Sequence, residues 1–293
     1  MTSELNWTHV NFSDPTDAAW IRQESGVAPI IAEALLSDES RPRALHQDDG
    51  ILVILRGVNL NAGSEAEDMI SVRLWIEKNR VITASRRPLK SLEQIRQRCE
   101  QGQGPGSPAA FALELMSRLS KFIGEVTDGI ESKLEQAEDN VNDANSILKN
   151  SPFSVVRRQS ARIRRYLSPQ REALDSLARN PEPVFDKLQS YELREQTNRI
   201  TLVLEDLDLV RERALVAQEE FLGMIANEQN NRMLLLSIVA AIFLPLSFLT
   251  GLMGMNVAGL PGTVNTWAFG VIVVLMTLIA VLILLLFRAR RWL

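Results

Sequence analysis

One cysteine and two histidines are the whole supply of soft metal ligands in this chain of 293 residues. Cys99 alone forms no internal disulfide, and with His9 and His46 it is too little for a Cys/His zinc cluster within one subunit. A large excess of charge is missing too. Lys and Arg number 32 against 36 Asp and Glu, a formal net charge of −4, which leaves neither a nucleic-acid footprint nor an acidic tail. No Ser/His/Asp, Cys/His, glycine-rich phosphate loop or paired-carboxylate arrangement stands out, so the chain reads as a non-enzyme with no bound cofactor. The start, Met1 to Asn6, has neither the basic residues nor the apolar run of a secretory signal, and the soluble part is expected in the cytoplasm.

The most informative absence is local. From Met233 to Phe287, fifty-five residues, there is no Asp, Glu, Lys, Arg or His. Two blocks in it, 233–253 and 267–287, are each long enough as helices to span roughly 31 Å, about one bilayer core. The linker 254–266 is rich in glycine and too short to fold alone. Arg232 precedes the first span, Arg288, Arg290 and Arg291 follow the second, and the linker is uncharged. That bias puts both termini in the cytoplasm and the linker outside, in a multi-pass protein of the inner membrane.

What precedes the hairpin is ordinary soluble sequence. Residues 1–115 read as a cytoplasmic α/β domain. Its expected strands are the apolar run Ile51 to Val58, the alternating Met69 to Ile76, and Val81 to Ala84, the last two forming a hairpin. Helices are expected over Asp17 to Glu24, Pro29 to Leu36 and Ser91 to Cys99, the last with a Ser91/Gln94 capping box. After the break at Gln101 to Pro108 comes a helical and stalk region, residues 116–232. Its helices are expected from Ala109 to about Lys149, from Ser154 to about Ala178, and unbroken from Val184 to Met253, where Pro245 is the only proline. Ile200, Val203, Leu207 and Val210 recur at heptad spacing, so the stalk expects helical partners. The fold class is thus an α+β cytoplasmic domain followed by long α-helices and a two-helix transmembrane hairpin, with residues 288–293 as a cytoplasmic tail.

Three charged clusters have plain explanations. His46-Gln47-Asp48-Asp49 suits a surface turn before the strand at Ile51. The acids at Glu205, Asp206, Asp208, Glu219 and Glu220 suit a solvated helix face. Arg157, Arg158, Arg162, Arg164 and Arg165 suit ion pairing between helices rather than lipid headgroups.

The first span carries more detail than an anchor needs. Heptad spacing continued into the bilayer traces Asn230, Ser237, Leu244 and Gly251 on one track and Met233, Ala240, Ser247 and Gly254 on another. Six of these eight residues are small or polar. Such a seam lets helices approach closely, or it lines a water-filled path. The linker favours the path. Asn256 offers a carbonyl oxygen without fixed charge, and one such residue per subunit around a symmetry axis makes a ring of dipoles that holds a hydrated cation loosely. Two spans cannot enclose that ring, so a pore requires an oligomer.

Gly254-Met255-Asn256 directly after an apolar helix, with a second span and a short basic C-terminus behind it, resembles the signature of the CorA-type metal ion transporters. Ala241 to Gly251 resembles that family's first span, proline included. Within the family, Gly254 to Gly262, Glu39 to Arg43, Leu55 to Asn61 and Ser71 to Ile76 are most similar to the zinc-transporter branch ZntB. Ala258 departs from it, standing where the branch usually has a second glycine. The resemblance implies a homopentameric funnel in membrane lipid, with the first span lining the pore and the second packed outside. It implies a filter of Gly254, Met255 and Asn256, the last meeting the ion through hydration water. It carries Asn230, Met233, Leu236, Leu244 and Ser247 into the pore beside Ser237, Ala240 and Gly251 of the seam, and puts Glu219 at a depth where relatives face acids to the ion path.

The implied function is transport of divalent cations, foremost Zn²⁺, across the bacterial inner membrane. The implied rival is a Mg²⁺, Co²⁺ or Ni²⁺ carrier on the same fold, and Cd²⁺ is a further candidate ion. Coupling to protons is left open, because the spans hold no titratable group. A membrane-tethered coiled-coil scaffold or sensor is the rival from another class, and it requires that the linker be replaceable by any neutral one.

Overall fold

The computed structural model describes residues 5–38, 41–139, 152–255, 260, 262 and 266–290. It divides into two compact units, Met1–Gln218 and Glu219–Leu293.

The first unit is built on a five-stranded sheet of order β1-β5-β4-β3-β2. The strands are β1 (Asn6–Asn11), β2 (Arg43–Gln47), β3 (Gly50–Gly57), β4 (Ile70–Glu77) and β5 (Arg80–Ser85). β1 pairs parallel with β5 and every other pairing is antiparallel, so β1, β3 and β5 run the same way. The three predicted strands are present and β4–β5 is the predicted hairpin. Arg80 closes its turn: Nε donates to Glu77 Oε2 at 2.6 Å and Nη2 to Glu77 Oε1 at 2.7 Å, and this holds the Glu77 carboxyl below its usual range. β1 and β2 are additions. β2 is an edge strand with no buried residue, and β1 buries only Val10, so neither shows the apolar alternation that marked the others.

Each face of the sheet is covered by a helical pair. Helices α1 (Pro15–Gln23) and α2 (Pro29–Leu36) supply Ile21, Ile31 and Leu35 against Leu52, Ile54, Trp75 and Ile82. α1 starts earlier than expected, on an Asp14 cap that accepts the Thr16 amide at 2.8 Å. On the opposite face are Ile51, Val53, Leu55, Val72, Leu74 and Ile76, all buried, where α4 (Pro108–Asp139) contacts β3 and β4. Between β5 and α4 lies α3 (Lys90–Glu100). The capping box expected at Ser91 is not there: the helix begins one residue earlier, its cap is Leu89, and Ser91 is buried inside the first turn.

α5 (Pro152–Arg179) packs on α4, β2 and β3. Residues 140–149 of the predicted helix from Ala109 lie outside the described residues. α6 runs unbroken from Lys187 to Met253, 67 residues or about 100 Å. Leu193, Ile200, Leu207 and Ala214, seven residues apart, are all fully buried. The helical partners that this stripe expected come from the same chain: Arg213 Nη1 and Nη2 reach Glu131 and Glu138 of α4 at 3.0 and 2.8 Å, and Arg164 of α5 pairs with Asp208. Of the basic stretch, Arg164 meets the acidic run as expected, while Arg162 turns to Asp68 at 3.5 Å and Glu67 at 4.0 Å. His46 lies on β2 with Nε2 2.6 Å from the Asn180 carbonyl, and Asp48-Asp49 form the turn into β3.

Candidate ion path on the membrane helices

In the second unit, the apolar part of α6 and helix α7 (Ala268–Ala289) are both long and apolar enough to cross a membrane. Arg232, paired with Glu228 one turn before it, marks the start of the uncharged stretch, and Arg288 and Arg290 mark its end.

At 3.6 residues per turn, each residue advances 100° around the axis, and Asn230, Met233, Leu236, Ser237, Ala240, Leu244, Ser247 and Gly251 fall within a stripe of about 120°. All eight are exposed, Met233 at 66% and Leu244 at 71%. Leu234, Ile238, Ala241, Ile242, Pro245, Leu246, Leu249 and Leu252 are the less accessible residues of the same span, and they lie outside the seam around the helix. α7 has no buried residue, and its less accessible ones, Ala268, Ile272, Met276, Ile279, Ala280, Ile283 and Phe287, recur mostly at steps of three and four. The seam of small and polar residues thus lies on a fully exposed side of α6.

The chemistry of the seam is neutral. Ser237 Oγ donates to the Met233 carbonyl at 2.8 Å, so its proton is held by its own helix while the oxygen lone pairs point outward as acceptors. Thr250 Oγ1 does the same to the Ser247 carbonyl at 3.0 Å. Pro245 brings no amide to the helix ladder and leaves the Ala241 carbonyl without its usual partner of the next turn. Among the described residues, no group of three or more His, Cys, Asp or Glu is placed to hold a metal ion.

α6 ends at the predicted filter. The Gly254 amide makes the last helical bond, to the Thr250 carbonyl at 2.9 Å, and the Met255 amide turns back to Leu252 at 3.5 Å. A Cβ on Gly254 would stand 3.1 Å from the Thr250 oxygen, tight enough to disturb that closing turn. Asn256, the residue that carries the predicted cation contact, lies outside the described residues.

Upstream, Glu219 precedes Asn230 by eleven residues, three helical turns, and so lies on the same stripe. Glu220, one step on, lies about 100° away from it. Both are exposed. The spacing that separates these two acids was readable in the sequence once the helix is known to be continuous.

An uncharged span with a seam of small and polar residues, followed by a second apolar helix, fits the class of membrane proteins that move ions. The chain belongs to the family described as CorA-like Mg²⁺ transporter proteins, whose model matches residues 2–291. It is 36% identical to the divalent cation transporter CmaX of Pseudomonas aeruginosa, over 100% of this chain and 89% of that one. The solved structure of full-length CmaX superposes with a TM-score of 0.81 at 34% identity, covering 98% of this chain and 88% of that one. The zinc transport protein ZntB of Yersinia enterocolitica is 25% identical over 98% of this chain and 88% of its own.

Proposed function

We propose that five copies of the chain surround a central path and pass divalent cations, Zn²⁺ foremost, across the bacterial inner membrane, with both termini in the cytoplasm. The observation that carries this is the orientation of the seam. Its small and polar side chains are all exposed along one side of α6, where the sheltered surroundings that such residues need in a membrane would come from further copies. Asn230, Ser237, Ala240, Ser247 and Gly251 then leave room for water, and Met233, Leu236 and Leu244 form the narrow points. Gly254, Met255 and Asn256 form the outer filter. There the Asn256 carbonyls hold the ion through its water, a mode suited to a strongly hydrated dication. Glu219 faces the path on the cytoplasmic side and gathers cations there. Zinc is favoured over magnesium by the run Gly254 to Gly262, which is similar to the ZntB branch, while the family as a whole is described for Mg²⁺.

The test is flux into liposomes holding a metal-sensitive dye, with Zn²⁺ and Mg²⁺ at equal gradients. Zn²⁺ should enter faster, and Asn256→Ala should abolish entry of both. Faster Mg²⁺ entry reassigns the ion while keeping the path. Undiminished flux in the variant removes the filter. An imposed pH gradient that changes the rate shows coupling to protons, and an indifferent rate shows a passive path.

A further inference from the structure

α6 holds only two glycines, Gly223 and Gly251, and Gly251 lies at its last turn, beside the filter. Gly223 lies well inside the helix, and neither space nor backbone conformation within the chain requires a glycine there. A Cβ at that position would meet nothing within 4 Å, and the residue is helical together with its neighbours on both sides. Alanine would hold the helix better, because a glycine backbone has more freedom to lose on entering it.

The surroundings of Gly223 set it apart from glycines in the soluble helices. Gly124 and Gly129 of α4 are also free of steric demands, but Phe122, Ile123, Thr127 and Ile130 are buried around them, so packing holds that helix on both sides of each glycine. On α6, Leu207, Val210, Ala214 and Ala217 are buried, and Arg157 Nη1 donates to Gln218 Oε1 at 2.9 Å. Phe221 is buried as well, and then the cover ends: from Leu222 to Ser237 no residue is buried, and the next that is buried is Ile238. Gly223 is the second residue of that uncovered stretch. A helix bends most readily where its backbone is least restrained and no packed side chain opposes the bend, and both conditions fall on this one residue.

Its position along the ion path gives a bend there a consequence. Glu219 stands four residues before Gly223 and Asn230 seven residues after it, so the glycine separates the acid from the start of the seam. At 1.5 Å per residue, Met233 lies about 15 Å beyond Gly223 and Leu244 about 32 Å beyond it. A bend of about 10° therefore moves Met233 by roughly 3 Å and Leu244 by roughly 5 Å.

We propose that Gly223 is the hinge of a gate: α6 bends there, and the bend swings the apolar narrow points Met233, Leu236 and Leu244 toward or away from the axis of the path. This rests on the ion path proposed above. The displacements are about the width of one or two water molecules, enough to take an apolar constriction from dry to wet, which is how such constrictions open. A gate of this kind needs no charged group in the spans, and from Met233 to Phe287 there is none.

The test uses the full-length protein with two readouts: Zn²⁺ flux into liposomes, and backbone hydrogen exchange followed by mass spectrometry, which reads the hinge whether or not ions pass. Gly223→Ala should lower flux about fivefold or more, slow exchange of the amides at 222–228 about fivefold, and leave the melting temperature level or slightly raised. Gly223→Ala/Ala226→Gly returns a glycine to the same uncovered stretch, less than one turn further on, and should recover most of both losses. Flux in Gly223→Ala within twofold of the wild type overturns the hinge. A double variant as impaired as the single one also overturns it, because position 223 then needs a missing side chain for close approach of copies rather than a free backbone. Wild-type protein that passes no ion removes the path instead, and exchange alone then decides the bend: slower exchange in Gly223→Ala keeps it, and equal exchange overturns it.

Discussion

Arg164 of α5 and Asp208 of α6 meet in a two-pronged pair: Nε donates to Oδ1 at 2.6 Å and Nη2 to Oδ2 at 3.1 Å. The geometry is the best available to an arginine and a carboxylate, yet both side chains are more than 40% exposed, at 43% and 45%. Water and salt therefore compete for both partners. Arg164→Ala and Asp208→Ala in a double-mutant cycle should give a coupling of only about 0.5–1 kcal/mol, falling as ionic strength rises. Thermal melting of the four proteins in low and high salt measures it.

Gly50 opens β3 directly under the ring of Trp75, and a Cβ there would stand 2.4 Å from that ring. The indole cannot swing aside freely, because its Nε1 donates to Glu77 Oε1 at 2.7 Å. Gly50→Ala should destabilise the protein by about 1–3 kcal/mol through overpacking. Melting should drop accordingly, and Gly50→Ala/Trp75→Phe, which frees the ring edge, should recover part of the loss.

His9 is partly buried on β1 with Nδ1 2.9 Å from Thr83 Oγ1, an oxygen that also accepts Trp7 Nε1 at 2.8 Å. Burial first, and the nearby Arg96 charge second, lower its pKa to about 4 from an ordinary 6.5. Below pH 6.5 the unfolded chain binds a proton at this position that the folded one refuses. The stability contributed by neutral His9 is thus complete above pH 6.5 and is lost as pH falls toward 4. His9→Gln should flatten the pH dependence of melting in that window. An unchanged slope would place the acid sensitivity elsewhere.

The ion path makes two demands on α6. Ala240→Leu adds bulk at a small position of the seam and should lower Zn²⁺ flux on the order of tenfold without loss of folded protein. Glu219→Gln removes a charge from the stripe. A unit charge 4 Å from a dication in water is worth about 2 kcal/mol, so flux at low Zn²⁺ should fall roughly thirtyfold at most. Glu220→Gln, about 100° around the helix, should have the smaller effect. Liposome flux separates the two, and equal losses would remove Glu219 from the path.

The parts of this protein legible in its sequence are those whose physics is local. The absence of charge from Met233 to Phe287 requires a hydrocarbon setting whatever the rest of the chain does. The buried strands β3, β4 and β5 announce themselves because both their faces are covered, and the helices by their period. β2 does not, since an edge strand without a buried side chain has no pattern to show. Ser91 misled for a related reason: a cap and a buried small residue in the first turn look alike until the backbone at Leu89 is known.

What only the tertiary structure decided is which distant residues share a place. Arg73 holds a polar place in the alternating pattern of β4, yet it is fully buried, and its companions come from the ends of β3 and β5 and from α5, almost a hundred residues away. Periodicity carries no information across such distances. Only the sheet order and the packing of α5 bring those cations to one cavity, while the charge-free hairpin is set by the local sequence, because a bilayer reads composition residue by residue.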